Sequence, residues 1–307
     1  IQNLGEAIGR RDLLTKKPDL GGKAALIDLA TVLSAPHARV SHRDYRVQTA
    51  AHLPKMREQE RCVAQRAMGG DHSILRECLN NEDRCVGVGA AGEIARKFGD
   101  LGLPEGTISF DDKGAAGHFY AAYSVHGMNF RLKGLAADSC FTAAYGGTLA
   151  ILPPSGNTSL TVVGNTFGYG ARGGQVFIAG RAGNRFGICL RKNAEGGGAT
   201  IVVEGVASNA FQYMTGGVAL VLGPTGPNLG AGMTGGVVYL LDADLDSLNQ
   251  DYVKAEPVDL LDRVVIEEML AAHVEATGSL NATLLLEKFD LRQYSKVTTR
   301  LLPETLE

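Results

Sequence analysis

The sequence has few cysteines, and their number and spacing exclude two classes of small protein. The chain has five, and no two of them form a C-x-x-C pair. An odd, scattered set of thiols fits neither a disulfide framework nor a zinc ribbon. We therefore expect packing or idle thiols in a reducing cytoplasm at Cys62, Cys78, Cys85, Cys140 and Cys189.

The sequence also lacks net charge and long apolar runs. Thirty basic residues stand against 33 acidic ones, a net charge of −3, which gives no argument for a nucleic-acid or membrane partner. No apolar run approaches the roughly 18 residues of a membrane-spanning helix, and no signal peptide is recognised. The chain begins at Ile1 and not at a methionine, so we expect a processed, excised or incomplete product. The predicted location is cytoplasmic.

Glycine and charge divide the chain into three parts. Residues 101–240 hold 29 of the 40 glycines but only 14 of the 63 charged residues, whereas residues 241–307 hold 20 charges and one glycine. The hydrophobic content of 45% suffices for a core. We predict a linker and N-terminal capping segment over 1–84, a glycine-repeat domain over 85–250 and a C-terminal helical cap over 251–307.

The glycine-rich part repeats itself. A glycine pair followed by an apolar, β-branched run occurs at 146–152, 173–180, 197–205, 216–223 and 235–242, with weaker copies at 127–134 and 106–110. Successive runs are 19 to 27 residues apart, which is too short for a β-α-β unit of about 30 residues or more. The spacing predicts an all-β core, a single-stranded right-handed parallel β-helix (a solenoid) with glycine at its corners.

The flanks of the repeat are predicted to be helical in part. Apolar residues in 259–276 follow a helical pattern, and Gly278 lies where such a helix would end. A second short helix is predicted at about 280–289, and a partly helical segment at 55–80. These segments would cap the two ends of the repeat.

One stretch, VGVGAAGEIARKFG at 86–99, contains the G-x-G-x-x-G pattern of dinucleotide-binding folds. A nucleotide-binding enzyme would use Gly87, Gly89 and Gly92 for the phosphates and Asp111 for the ribose. The residues before Gly87 are too polar for a buried strand, and Gly99 ends the helix after about seven residues. A second copy, at 230–236, precedes a strand instead of a helix. Glycine serving the backbone is therefore the favoured interpretation.

Other patterns typical of active sites are incomplete. SHRDYR at 41–46 contains the letters of a kinase catalytic loop without the motifs that accompany it. The histidines lack metal-ligand spacing, His72 beside Asp71 included. No nucleophile, base and orienting group can be assembled from local sequence. We predict no catalytic, cofactor-binding or metal-binding residue in this chain.

Several stretches together resemble the C-terminal glycine-repeat (GXGXG) β-helix domain of the glutamate synthase large (alpha) subunit. NEDRCVGVGAAGEIARKFGDLGLPEGTISF resembles the start of that domain, with Ala91 where the family usually has serine. FTAAYGGTLAILPP, LTVVGNTFGYGARGGQVFIAGRAGNRFGI and VVEGVASNAFQYMTGGVALVLGPTGPNLGAGMTGGVVYLLD resemble its repeats. CLRKNAEGGGA at 189–199 departs from the family, because its corner is longer, and TTRLLPETLE lacks the family's usual ending.

The resemblance implies a function for this chain within a larger enzyme. Glutamate synthase makes two glutamates from glutamine, 2-oxoglutarate and a reductant, using an amidotransferase domain and a synthase domain that holds FMN and an iron–sulfur cluster. This chain lacks a terminal cysteine and a cluster-like cysteine run, so neither active site is expected in it. The resemblance implies a structural, non-catalytic domain or subunit that spaces those two partners in nitrogen metabolism.

Two alternatives are left open. The first is a stand-alone β-helix subunit of a related complex, of the N-methylglutamate synthase or formylmethanofuran dehydrogenase type. LGEAIGRRDLL at 4–14 argues against it, because it resembles the linker from the catalytic barrel. The second is the nucleotide-binding enzyme, which predicts saturable NAD(H) binding lost on Gly89→Val.

Overall fold

The computed structural model describes residues 6, 10–15, 28–34 and 55–300. The chain divides into two compact units, Ile1–His52 and Leu53–Glu307. The first unit contains a 3₁₀ turn at Arg11–Leu13 and a short helix, α1, at Ala30–Leu33. The kinase-like SHRDYR segment and residues 4, 5 and 7–9 of LGEAIGRRDLL lie outside the described residues. The domain boundaries at 84 and 250 stay a prediction.

The second unit begins with α2 (Lys55–Met68), two short strands, β1 (Ser73–Leu75) and β2 (Cys78–Leu79), and α3 (Val88–Phe98). The glycine-rich part then supplies eight strands: β3 (Ile108–Ala116), β4 (Met128–Ala136), β5 (Thr148–Leu152), β6 (Thr161–Val163), β7 (Gln175–Ala182), β8 (Thr200–Val206), β9 (Thr215–Val221) and β10 (Gly235–Leu241). Seven of these strands lie at the predicted apolar runs, so those predictions are confirmed; β6 lies outside the predicted runs.

The C-terminal part adds β11 (Val253–Pro257), α4 (Leu260–Thr277), α5 (Leu280–Glu287) and β12 (Tyr294–Thr299). Both predicted C-terminal helices and the helix predicted within 55–80 are therefore present. Asp259 caps the start of α4 by accepting hydrogen bonds from two backbone amides, and Gly278 ends it in a left-handed conformation. Leu260, Leu261 and Val264 belong to the apolar pattern that predicted α4, but all three are more than half exposed.

All twelve strands form one sheet, ordered β1-β3-β4-β5-β7-β8-β9-β10-β12-β11. Pairing is parallel from β1 to β10, and then antiparallel between β10 and β12 and between β12 and β11. Strand β2 pairs with β3, while β6 pairs with both β4 and β7. Because β5 also pairs with β4 and β7, the strands β4, β5, β7 and β6 close into a parallel four-stranded barrel.

The predicted fold class, an all-β single-stranded right-handed β-helix, is wrong. The described residues form a mixed α/β fold, in which a four-stranded parallel barrel carries extra strands and helices. Helices contribute to the core, since Ile94 of α3 and Ile266 and Leu270 of α4 are fully buried. A spacing near 20 residues indicates that strands recur side by side, but it specifies neither how the sheet closes nor which way later strands run.

The turns between strands share an unusual backbone conformation. Three alternate residues in each of six turns have positive φ, and most of them are not glycine: 119/121/123, 139/141/143, 166/168/170, 185/187/189, 209/211/213 and 228/230/232. Neighbouring turns are hydrogen-bonded in both directions: the Tyr123 amide donates to the Thr142 carbonyl, and the Phe141 amide donates to the Tyr120 carbonyl. These bonds satisfy buried backbone groups that a strained turn would otherwise leave unpaired.

The interior beneath these turns is packed with aromatic rings. Phe141, Phe167 and Phe186 stack in sequence, with centroid separations of 6.0 and 4.7 Å, and Phe211 meets Phe186 edge-on at 5.9 Å. All four side chains are fully buried. The outer face of the sheet forms a second core with the helices, where Phe177, Val202, Leu220 and Tyr239 pack against α4 and α5.

Candidate functional site

The G-x-G-x-x-G stretch opens α3, as its letters suggest. Gly87 precedes the helix with a left-handed φ of 87°, and Gly99 follows its last residue. A Cβ on Gly87 would lie 2.5 Å from the ring of Phe130, which is buried in the core. Nothing lies within 4 Å of the position of a Cβ on Gly92. The first glycine is therefore required by packing and conformation, and the third is not.

The amides of this loop already bind a carboxylate from the chain itself. The Gly87 amide donates to Oε1 of Glu60, and the Gly89 amide donates to Oε2, both at 2.9 Å. Glu60 lies on α2 and is 1% exposed. A helix N-terminus with free backbone amides attracts anions, and in this molecule the anion is the side chain of Glu60. The loop has the anion-binding geometry of a nucleotide site, but the amides that would face a phosphate are taken.

Asp111, the predicted ribose ligand, takes part in a different interaction. It lies on β3, and its Oδ2 is 3.3 Å from Nε of Arg76. No described contact joins it to Gly87, Gly89 or Gly92. The structure therefore brings Gly87 and Gly89, two of the four predicted nucleotide-binding residues, to the carboxylate of Glu60. Asp111 lies in a separate ion pair at the surface.

A buried carboxylate lies one residue further along β3. Asp112 is 1% exposed and accepts hydrogen bonds from the Tyr120 hydroxyl at 2.9 Å and the Glu77 amide at 3.2 Å. Burial raises the pKa of Asp112 to about 6, although these hydrogen bonds oppose the rise. Burial likewise raises the pKa of Tyr120 well above its usual value.

A second buried carboxylate, Glu204 of β8, connects the sheet to the helices. Its Oε1 accepts a hydrogen bond from the Ser279 hydroxyl at 2.5 Å and lies 3.3 Å from Nε2 of His273. Its Oε2 accepts from Nδ2 of Asn281 at 2.7 Å. Burial alone would raise the pKa of Glu204, but these three partners outweigh burial and lower it. No hydrogen-bond partner is present at Nδ1 of His273 within the described part of the chain.

A third carboxylate, Asp262, holds the start of α4 on the sheet. It accepts from the Tyr239 hydroxyl at 2.7 Å and from Nζ of Lys296 at 2.8 Å. Burial would raise the pKa of Asp262, but the hydrogen bonds, led by that from Lys296, lower it. The sequence analysis did not identify the four buried carboxylates Glu60, Asp112, Glu204 and Asp262. Only Glu204 could have been noticed, because it is an acidic residue inside an apolar run.

The remaining candidates do not assemble into a reactive site. Among the described residues, no three His, Cys, Asp or Glu side chains are grouped as metal ligands would be. Cys140 is buried, which raises the pKa of its thiol, and Cys189 is partly buried with its pKa also raised by burial. Burial keeps a thiol protonated and unreactive. His72 is exposed, and His37, His42 and His52 lie outside the described residues.

The described helices include none long and apolar enough to cross a membrane.

Comparison with known proteins connects the chain to one group of enzymes. Residues 60–303 match the model of the GXGXG motif family. The chain is 38% identical over 220 residues to the ferredoxin-dependent glutamate synthase of Pyropia yezoensis, covering 69% of this chain and 14% of the relative. It is 31% identical over 317 residues to the glutamate synthase [NADPH] large chain of Bacillus subtilis, covering 97% of this chain and 20% of the relative.

A yeast relative matches along the whole chain. Glutamate synthase [NADH] of Schizosaccharomyces pombe is 30% identical over 325 aligned residues, which cover 100% of this chain and 15% of the relative. The chain therefore spans only between 14 and 20% of the length of these curated relatives.

Proposed function

Because the chain belongs to the GXGXG motif family and matches a part of glutamate synthases, we propose that it is a structural, non-catalytic domain or subunit of a glutamate synthase. In this proposal the chain supports and spaces an amidotransferase domain and a synthase domain, which are its partners. The larger enzyme forms glutamate from glutamine, 2-oxoglutarate and a reductant. FMN and an iron–sulfur cluster belong to the synthase partner and not to this chain, and the enzyme acts in the cytoplasm.

The observation that carries the proposal is the Glu60 carboxylate on the amides of Gly87 and Gly89. Through this contact the G-x-G-x-x-G loop, the motif that most resembles a ligand-binding site, joins α2 to α3 and so has a structural role. The stacked phenylalanines and paired turns add rigidity. A rigid body that keeps two catalytic partners at a fixed distance suits a reaction in which ammonia passes between them.

The relatives favour glutamate synthase over a stand-alone subunit of another complex, since those compared carry that name. They include ferredoxin-dependent, NADH-dependent and NADPH-dependent enzymes.

The test is an activity measurement on the natural protein that contains this chain. Glutamine labelled with ¹⁵N in its amide is supplied with 2-oxoglutarate and with reduced ferredoxin, NADH or NADPH in turn. We expect the label in the amino group of newly formed glutamate, together with bound flavin and iron. A natural protein that retains its fold but forms no glutamate with any of the three donors would contradict the proposal.

A further inference from the structure

The helices cover only one part of the outer face of the sheet. At its start, α4 is held over β10 by Asp262, which accepts a hydrogen bond from Tyr239. At its end, the Ala276 carbonyl accepts a hydrogen bond from Nη1 of Arg131 in β4 at 2.7 Å. The hairpin of α4 and α5 therefore crosses the sheet from β10 and stops at β4. Beyond that point, no helix among the described residues covers the outer face of β3 and β4, which we call the open face.

The open face is positively charged. It carries Lys113 on β3 and Arg131 and Lys133 on β4, while Arg76 pairs with Asp111 at its edge. We call Lys113, Arg131 and Lys133 the basic patch. Lys113 lies directly opposite Lys133 in the parallel register, and Asp111 lies opposite Arg131. Like charges directly opposite each other on neighbouring strands are destabilising.

Neither lysine of the basic patch has an ion-pair partner within the described part of the chain. The carboxylates of β3 itself are already engaged: Asp111 with Arg76, and Asp112 with Tyr120 and the Glu77 amide. The parallel register keeps the two lysines on neighbouring strands, so their like charges stay close together and a negative group beside them lowers the repulsion. The arrangement fits an external carboxylate.

A cavity of about 650 Å³ lies beside the basic patch, at the tip of the helix hairpin. Arg131 and Lys133 line it, together with apolar side chains that include Leu152, Pro153 and Leu280. Leu280 is 79% exposed. The lining includes no acidic side chain. The Ala276 carbonyl holds the Arg131 guanidinium in place, so its remaining donors are pre-organised for a carboxylate.

We propose that the basic patch and this cavity form a docking surface for an acidic segment of the larger enzyme, outside these 307 residues. Carboxylates of that segment pair with Lys113, Arg131 and Lys133, and an apolar side chain beside them contacts Leu152 and Leu280. The inference rests on the proposed function, because the occupant is a part of that enzyme. In the relatives compared, at least 80% of the chain lies outside the matched region.

The test is zero-length carbodiimide crosslinking of the natural, complete enzyme, followed by peptide mass spectrometry. The reagent joins an amine to a carboxylate only when the two are in contact. We expect Lys113 or Lys133 to be joined to an Asp or Glu outside residues 1–307. One internal lysine reports on the method: Lys254, whose Nζ is 2.6 Å from Oε1 of Glu256, should couple within the chain.

Three outcomes would overturn the inference. The first is that Lys113 and Lys133 stay unmodified while Lys254 couples to Glu256. The second is that they couple only to acidic residues of this chain. The third is that they couple to a second copy of the chain, which a mixture of ¹⁴N- and ¹⁵N-labelled enzyme reveals. Because glutamate formation is measured separately, failure of the docking surface and failure of the proposed function are distinguishable.

A charge-reversal variant tests the same surface without chemical modification. In the complete enzyme, K113E/K133E should increase amide hydrogen exchange in 152–158 and 277–281, which border the cavity. K192E is the matched control, since Lys192 is also an exposed lysine without an ion pair, but on a different surface. Equal exchange in the wild-type enzyme and K113E/K133E would contradict the docking surface, even if both proteins fold normally.

Discussion

The carboxylate of Glu60 bridges the amides of Gly87 and Gly89, with both hydrogen bonds at 2.9 Å. Twenty-seven residues separate Glu60 from Gly87, so the contact joins two helices that the sequence presents as unrelated. It shows that the first amides of a G-x-G-x-x-G loop can find their acceptor within the chain itself. The anion that the helix N-terminus attracts is a side chain of the same unit.

Replacing Glu60 should destabilise the fold. E60A leaves the buried amide of Gly87 and the partly buried amide of Gly89 without their acceptor, and the loss of two charge-assisted hydrogen bonds costs about 3 kcal/mol. E60Q retains the shape but turns an NH₂ donor toward an amide donor, so an intermediate loss is expected. Urea unfolding followed by circular dichroism measures both. E58Q changes an exposed glutamate of the same helix and should leave the free energy of unfolding nearly unchanged.

The glycines of the motif should differ in their tolerance of alanine. G87A places a methyl group 2.5 Å from the Phe130 ring at a φ of 87°, so steric overlap and backbone strain together should destabilise the protein by about 2 kcal/mol or more. G92A meets no atom within 4 Å and lies inside a helix, where alanine is favoured over glycine by about 1 kcal/mol. Thermal unfolding should show a lower Tm for G87A and an equal or higher Tm for G92A; equal losses in the two variants would contradict this assignment.

The chain should not bind NADH. The amides that would contact a pyrophosphate are occupied by Glu60, and Asp111 pairs with Arg76. Titration of the protein with NADH, followed by nucleotide fluorescence, should show no saturation. Saturable binding that is lost in G89V would restore the nucleotide-binding hypothesis and contradict the structural role of the loop.

Asp112 should make stability depend on pH between about 4 and 6. Its pKa is about 6 in the folded protein, against an ordinary value of 3.8, so the folded state holds a proton that the unfolded state releases. The folded state therefore loses about 3 kcal/mol of stability as pH rises from about 4 to 6, and the loss persists above pH 6. D112N, which cannot ionise, should be more stable than the wild type at pH 7.5.

The measurement for Asp112 is urea unfolding of D112N and wild type at pH 4.5 and 7.5. The asparagine can accept from the Glu77 amide and donate to the Tyr120 oxygen, so its hydrogen bonds survive. D111N, at an exposed neighbouring site, is the control and should not reproduce the change. A D112N protein less stable than wild type at pH 7.5 would contradict the raised pKa.

Glu204 should show the opposite dependence. Its pKa is lowered in the folded state from an ordinary value of 4.5, so its contribution to stability is complete above that pH and is lost as pH falls through the lowered pKa. E204A removes the shared partner of His273, Ser279 and Asn281. Breaking such a buried network costs about 3–5 kcal/mol. Hydrogen exchange should show the loss first in α4 and α5; protection retained in both helices would contradict this.

The sequence predicts the parts of this fold that follow from local chemistry. Five glycine pairs and two single glycines before apolar runs located seven strands, and Gly278 located the end of α4. The sequence does not predict closure of the barrel, because β6 is a three-residue strand with no glycine pair before it and bridges β4 and β7. Nor does it predict left-handed backbone at Phe141 or Tyr213, because these side chains disfavour that conformation and only the bonds between stacked turns maintain it.

The candidate sites were harder to predict than the strands. The glycine loop can be recognised in the sequence. The carboxylate that its amides bind belongs to Glu60, which lies on α2, a helix whose apolar residues follow only a weak helical pattern. Glu204 and His273 are 69 residues apart, and only the crossing of α4 over the sheet brings them together. Long-range contacts of this kind depend on topology, which local patterns do not contain.

The most direct test of the central claim is the intact mass of the natural polypeptide that contains this sequence, purified under mild conditions with its flavin and iron content determined. We predict a much longer chain, or a stable complex with other subunits, that carries flavin and an iron–sulfur cluster. A solitary polypeptide with the mass of these 307 residues, free of flavin and of partners, would contradict the claim that this chain is a structural part of a glutamate synthase.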